Sequence, residues 1–276
     1  MPLATLSEVL TPALRDGYAV AGVVCLGWED ARAYAAAAEA EGLPIILQAG
    51  PGARAHMPIP VWARMLRHLA EAATVPVVVH LDHGKSLEDC RIAIGEGFSS
   101  VMYDGSLDPL DRNIADMARI VEIAHAAGVS CEGEVGVVGY DGGAASHGTD
   151  PEDARRFAIE TGVDALAVSV GNVHLQTGPG AGLDRARIAA IEAATGPLPL
   201  VIHGGSGVPQ ADRATLARET AICKFNIGTE LRQTFGAALR QTLAAHPTAF
   251  DRIEILRATE APLEAAARKV LRGLRP

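Results

Sequence analysis

Along this 276-residue chain, short apolar runs rich in β-branched residues alternate with longer stretches whose apolar positions recur at i, i+3 and i+4. The runs Tyr18–Leu26, Pro44–Ala49, Pro76–Leu81, Ser100–Tyr103, Val129–Glu134, Ala165–Val170, Leu200–His203 and Ile222–Asn226 predict eight strands. Helices are predicted over Trp28–Glu41, Val61–Ala73, Leu87–Glu96, Asn113–Ala127, Pro151–Thr161, Asp184–Ala194 and Gln210–Glu219, and another follows Thr229. Gly97, Gly128, Gly162 and Gly196 each fall just past a helical run, where a left-handed residue ends the helix. Strand then helix, eight times over, predicts an α/β fold of the (β/α)8 (TIM) barrel type. The rival is an open doubly wound sheet, but no GxGxxG turn follows the first strand. One barrel domain over residues 1–276 is expected.

Two segments fall outside the alternation. Residues 137–150 (VVGYDGGAASHGTD) form a long, polar, Gly-rich stretch after the fifth strand, with the length and makeup of a lid or binding loop. Residues 260–275 read as a final helix that packs on the barrel or on a partner subunit. Hydrophobic residues make up 49% and aromatics only 4%, so Ala, Val, Ile and Leu must build the core, which suits parallel strands covered by Ala-rich helices. The formal charge of −9, with basic residues scattered, argues against a nucleic-acid partner. No apolar run is long enough to span a bilayer and the amino-terminal stretch has no signal-like apolar region, so a cytoplasmic protein without a membrane partner is expected. Cys25, Cys90, Cys131 and Cys223 lack CxxC spacing and read as small core residues.

In a barrel the reactive groups sit at the carboxyl ends of the strands. There the third strand ends His80-Leu81-Asp82-His83-Gly84, the fourth Tyr103-Asp104-Gly105-Ser106, the sixth Gly171-Asn172-Val173-His174 and the seventh His203-Gly204-Gly205-Ser206-Gly207, while the fifth carries Glu132 and Glu134. Three imidazoles at one mouth, His83, His174 and His203, match a catalytic zinc site that leaves a position open for substrate. A lone histidine at a strand end is more often a hydrogen-bonded core residue; three converging beside carboxylates point to a metal. The glycine-rich turn after His203, and Asn226-Ile227-Gly228-Thr229 leading into a helix, offer backbone N–H groups where barrels hold phosphate. A phosphorylated substrate is therefore expected.

With HLDHG at His80–Gly84, VMYDGS at Val101–Ser106, CEGEVG at Cys131–Gly136, GNVH at Gly171–His174, HGGSG at His203–Gly207 and KFNIGTE at Lys224–Glu230, the chain resembles the class II, metal-dependent ketose-bisphosphate aldolases, the fructose- and tagatose-bisphosphate aldolase group. The resemblance runs from Gly17 to the helix after Glu230. It implies reversible aldol cleavage of a phosphorylated ketose to dihydroxyacetone phosphate and an aldehyde. It further implies His83, His174 and His203 as ligands of Zn2+ or another divalent ion, and Asp82 as the group that moves the substrate hydroxyl proton. Glu134 and Asp104 match family carboxylates near the metal, which hold it in an alternative position or act from behind its ligands. Gly204, Ser206, Asn226 and Thr229 match the groups that bind the phosphate. A monovalent cation is a further candidate cofactor, and a homodimer or homotetramer is the implied assembly.

The departures from the family pattern fall on substrate recognition. An Asn-containing stretch after the first strand is replaced by Gly22-Val23-Val24-Cys25-Leu26-Gly27, and the glycine after the second ligand histidine is Leu175. The lid glutamate that serves as proton donor is missing, leaving Tyr140, Asp141 and His147 as candidates to replace it. Arg252 stands one residue out of register with an arginine that grips a second phosphate. These changes predict that fructose 1,6-bisphosphate is a secondary substrate. Alternatives are a metal-dependent aldolase for a non-bisphosphate ketose or hydroxyketone, an isomerase or epimerase using the same enediolate, and a Schiff-base enzyme built on Lys224.

Overall fold

The computed structural model describes residues 2–178, 180 and 182–275. Strand β1 (Leu3–Ala4) and helix α1 (Leu6–Asp16) precede eight strand–helix units. These are β2 (Val20–Val24) with α2 (Trp28–Glu41), β3 (Ile45–Ala49) with α3 (Pro51–His56) and α4 (Ile59–Ala72), β4 (Val77–Gly84) with α5 (Leu87–Glu96), and β5 (Ser100–Tyr103) with α6 (Leu110–Ala126). There follow β6 (Ser130–Val135) with α7 (Pro151–Thr161), β7 (Ala165–Val168) with α8 (Arg185–Thr195), β8 (Leu200–Ile202) with α9 (Gln210–Glu219), and β9 (Ile222–Ile227) with α10 (Thr229–Ala245). The chain closes with α11 (Arg252–Arg257) and α12 (Glu260–Arg272). Strands β2 to β9 pair in parallel with their successors and β9 pairs with β2, so the sheet closes into the expected (β/α)8 barrel.

Alternation of side chains along each strand separates two cores. One face, exemplified by Ile45, Leu47, Val77, Val79, Leu166 and Leu200, packs against the surrounding helices. The other, with Val20, Ile46, Val78, Met102, Ala165 and Val201, fills the lower barrel. The sequence reading assigned no element before Tyr18, yet α1 closes that end of the barrel with Leu6, Val9, Leu10 and Ala13. Burial of Leu6, Val9 and Leu10 stabilises this closure by on the order of 5 kcal/mol before chain entropy is charged against it. The signal was present in their i, i+3, i+4 spacing and in a capping box, with Thr5 Oγ1 accepting from Glu8 N and Glu8 Oε2 accepting from Thr5 N. Strand β1 pairs with the start of β4, placing Leu3 opposite Val77.

Helices α4 and α6 begin two and three residues before their expected starts, at Ile59 and Leu110, because Pro60 is accepted in a first helical turn and Pro109 directly precedes one. The carboxyl-terminal helix packs on this chain's own α2: Glu41 Oε1 accepts from Arg268 Nε at 2.6 Å and Arg272 Nη1 at 2.8 Å, and Arg32 pairs with Glu260. All four cysteines are buried and unpaired. Among the described residues, no helix is long and apolar enough to cross a membrane.

Candidate active site

Two irregularities build the mouth of the barrel. Between β4 and β5 the register shifts from Leu81↔Val101 to Gly84↔Tyr103, so Asp82 and His83 together stand against the single residue Met102. The bulge breaks the in–out alternation, and both consecutive side chains line one cavity. His83 takes a φ of 49°, a left-handed conformation that is strained for a residue with a Cβ. A second shift separates Leu200↔Ile222 from Val201↔Lys224, leaving Cys223 as the extra residue. Cys223 joins the inner core, Lys224 reaches Glu132, and Asn226 reaches Asp82.

The three predicted imidazoles converge. Ring centroids lie 4.6 Å apart for His83 and His203, 5.1 Å for His83 and His174, and 5.6 Å for His174 and His203. One nitrogen from each lies within 4.8 Å of the others. Two rings are held from behind by carboxylates, His83 Nδ1 by Asp104 Oδ2 and His203 Nε2 by Glu132 Oε1, both at 2.8 Å. Glu132 Oε2 in turn accepts from Lys224 Nζ at 2.6 Å, and both of these side chains are fully buried. Asn172 ties its strand end to the next by donating from Nδ2 to the His203 carbonyl at 3.0 Å.

Electrostatics in this cluster are polarised. Burial would lower His83, but Asp82, Asp104 and Glu134 outweigh it and push the imidazole up to about 9. Burial, reinforced by the adjacent His83, pushes His174 down to about 4 and His203 well below its usual range. Burial and the neighbouring Asp104 raise Glu134 to about 8. Asp104 stays well below the carboxylate range despite its burial, because His83, Lys85 and Ser106 hydrogen-bond to it. Glu134 Oε2 is buried with no hydrogen-bond partner and lies 3.8 Å from both His83 Nδ1 and His203 Nδ1. An orphaned carboxylate oxygen beside three convergent imidazoles, two of them carboxylate-braced, is a donor set suited to a divalent cation. His83, Asp104 and Glu134 form a second cluster of metal-ligating type that shares His83 with the first.

A cavity of about 260 Å3 opens on this cluster. Asp82, His83 and His174 line it together with Gly204, Ser206, Asn226 and Thr229. Asp82 Oδ1 accepts from Asn226 Nδ2 at 3.4 Å. Gly50 keeps the approach to the other oxygen clear, since a Cβ there would stand 3.0 Å from Asp82 Oδ2. Gly204 is required by shape: its φ is +65° and a Cβ would fall 2.1 Å from the Val173 carbonyl oxygen. Ser206 Oγ accepts from the N–H groups of Gly228 and Glu230 at 3.3 and 3.4 Å, which binds the two glycine-bearing turns together. Thr229 opens α10, so the N–H groups of a 17-residue helix begin at the cavity wall. Leu175 lines the same cavity with 47% of its surface exposed and keeps a φ of 57°, the backbone conformation that glycine adopts freely.

The lid is docked through its backbone. His174 N donates to Gly139 O at 2.8 Å and Asp141 N donates to His174 O at 3.0 Å, while the Tyr140 ring stacks on His174 with centroids 4.9 Å apart. Of the three lid candidates, Tyr140 lines the cavity; Asp141 and His147 are exposed and do not. Burial raises the Tyr140 phenol above its ordinary value. Lys224 does not line the cavity, which removes the observation on which a Schiff-base reading would stand. Sequence reasoning missed the Glu132–Lys224 brace and Arg232, which lines the cavity from the first turn of α10. The latter was readable, because Arg232 lies three residues after Thr229 and so shares its helix face.

The family described as fructose-bisphosphate aldolase class-II matches this chain over residues 4–275. The chain is 40% identical over 262 residues to a Bacillus subtilis (strain 168) protein named probable fructose-bisphosphate aldolase, covering 91% of this chain and 90% of that one. It is 37% identical over 278 residues to the 6-phospho-5-dehydro-2-deoxy-D-gluconate aldolase of Shouchella clausii (strain KSM-K16), covering 99% and 94%. Among solved structures, the YdjI aldolase from Escherichia coli K12 superposes with a TM-score of 0.87 at 30% identity, covering 99% of this chain and 97% of that one.

Proposed function

The chain belongs to the class-II fructose-bisphosphate aldolase family, and from that premise we propose that it cleaves a phosphorylated ketose, reversibly, to dihydroxyacetone phosphate and an aldehyde. The observation that carries this reading is the convergence of three imidazoles, two of which line with Asp82 a cavity that is also lined by the glycine-bearing turns of residues 204–206 and 228–229. His83, His174 and His203 are the residues that would hold the metal, and three nitrogen donors with an open position suit zinc. When bound, the ion supplies a Lewis acid that polarises the substrate carbonyl and stabilises the enediolate charge.

The remaining steps belong to the side chains. Gly204, Ser206 and Thr229 hold the phosphate of the dihydroxyacetone half, aided by the amino-terminal end of α10. Asp82, its Oδ1 engaged by Asn226, takes the proton of the hydroxyl on the carbon beyond the breaking bond. As that proton leaves, the oxygen becomes the aldehyde carbonyl and the carbon–carbon bonding pair passes into the enediolate. Tyr140 faces the cavity as a phenol kept protonated at neutral pH and donates the proton that completes dihydroxyacetone phosphate. Asp104 and Glu132 hold His83 and His203 in orientation, and Glu134, with His83 and Asp104, would offer a metal a second set of donors.

The test is a cleavage assay on enzyme stripped by a chelator, then reloaded with zinc, with His203→Ala run alongside. Activity should vanish and return, and the variant should lose bound metal. Full metal content and full turnover in His203→Ala would sink the assignment. A second reading widens the substrate to ketoses that are not bisphosphates, since Leu175 intrudes on the cavity and one relative is named for a phosphorylated keto acid.

A further inference from the structure

Asp82 and His83 reach the same cavity because the bulge in β4 turns both side chains inward, and the bulge leaves His83 at a φ of 49°. A left-handed residue that carries a Cβ persists where its surroundings over-determine it. Here they include one side chain from the preceding strand–helix unit. Arg54, half-buried on α3, donates from Nη1 to the carbonyls of Asp82 and Ala49 at 2.5 and 2.7 Å, and from Nη2 to the carbonyl of His83 at 2.8 Å. A regular strand points two consecutive carbonyls to opposite sides, so a single planar fork that engages both fits the bulged form of this segment and not a straight one.

Charged side chains removed from water are ordinarily paired with opposite charge, whereas all three hydrogen bonds of this guanidinium among the described residues end on neutral carbonyls. Arg54 itself does not line the cavity, which α3 reaches through Pro51, Gly52 and Ala53. Its N–H donates to the Gly50 carbonyl at 3.0 Å, and Gly50 is the residue that stands against Asp82 Oδ2. The same helical turn therefore meets Asp82 twice, at its carboxylate and at its main chain. That turn has a separate anchor in Trp62, whose Nε1 donates to Ala53 O at 3.0 Å, so its place does not hang on the guanidinium alone. We propose that Arg54 is a positioning residue for the cleavage chemistry: its fork fixes the main chain of Asp82 and His83, and through it the angle at which the carboxylate and the imidazole face the cavity. This rests on the aldolase reading of the site and deepens it.

The test compares wild type with Arg54→Met, which keeps an apolar stem, and Arg54→Lys, which keeps the charge but not the fork. With zinc-loaded enzyme and fructose 1,6-bisphosphate as the probe, Arg54→Met should lower kcat by about 100-fold, the scale of a misplaced reacting group. KM should change by less than about threefold, because the turns that hold the phosphate are untouched. Zinc affinity, titrated against a competing chelator, should fall by about 10-fold or more. Arg54→Lys should recover part of both losses. Cobalt-loaded protein supplies a readout free of turnover: the visible absorption bands of the ion report its ligand geometry and should shift in Arg54→Met. A mere anchor of α3 would behave otherwise, lowering the melting temperature of the metal-free protein while kcat, zinc affinity and the cobalt spectrum stay at wild-type values, and that result overturns the proposal. Should Arg54→Met fail to fold, Arg54→Lys decides, since wild-type kcat and zinc affinity in that variant overturn a role for the fork. The aldolase reading fails separately if wild type neither cleaves the probe nor exchanges the dihydroxyacetone phosphate C3 proton into deuterated water. The zinc and cobalt arms then still show whether Arg54 places His83.

Discussion

Lys224→Met should be among the most damaging single substitutions in this protein, although the lysine never meets the cavity. Its ammonium lies 2.6 Å from Glu132 Oε2, and neither side chain has any exposed surface. Removing one member of such a pair leaves an uncompensated buried charge, a loss of about 3–5 kcal/mol. In a protein of this size each kcal/mol moves the melting temperature by roughly 2–4 °C, so a fall on the order of 10 °C is expected. The damage should also reach the metal, because the other Glu132 oxygen holds His203 Nε2 at 2.8 Å. Loss of such an outer brace lowers metal affinity by about 10- to 100-fold. The double variant Lys224→Met/Glu132→Gln removes both charges and should recover much of the stability while metal binding stays weak. Thermal melts on chelator-treated protein isolate the first effect and zinc titration against a competing chelator reads the second. If Lys224→Met melts within 2 °C of wild type and binds zinc normally, the ion pair is not the support the geometry suggests.

Leu175→Gly removes a side chain held at a φ of 57°. Relief of a left-handed residue is worth about 1–2 kcal/mol, while the half-buried leucine returns about 1 kcal/mol through burial, so stability should change by less than about 1 kcal/mol. Turnover of fructose 1,6-bisphosphate should rise relative to wild type; a large drop in melting temperature with no change in substrate preference would refute a role in specificity. Tyr140→Phe keeps the ring on His174 and the backbone docking of the lid, so KM should hold while kcat falls by about 10-fold or more. An unchanged kcat would leave the phenol without a part in proton transfer.

What could be read from the sequence follows the physics of periodic structure. Ile45, Ile46 and Leu47 declare a strand buried on both faces, and eight such runs separated by helical periods leave a closed barrel as the economical arrangement. The strand-end histidines were legible for the same reason, since barrel topology brings every strand's carboxyl end to one mouth. The sheet rule then breaks at the candidate site. Strict alternation would send one of Asp82 and His83 outward; the bulge turns both inward, at the cost of a left-handed histidine. Contacts between distant strands were beyond reach as well. Glu132 and Lys224 are 92 residues apart, and neither residue by itself names the other as its partner. Of the three lid candidates, Tyr140 was separated from Asp141 and His147 by the backbone pairing of residues 139–141 with His174, a contact no local pattern encodes. Arg232 differs from these. Its place in the first turn of α10 was computable from Thr229, whose helix face it shares. A partnership between distant strands is visible only once the fold is known, so the residues that brace the candidate site from behind are harder to read from sequence than those that stand at its strand ends.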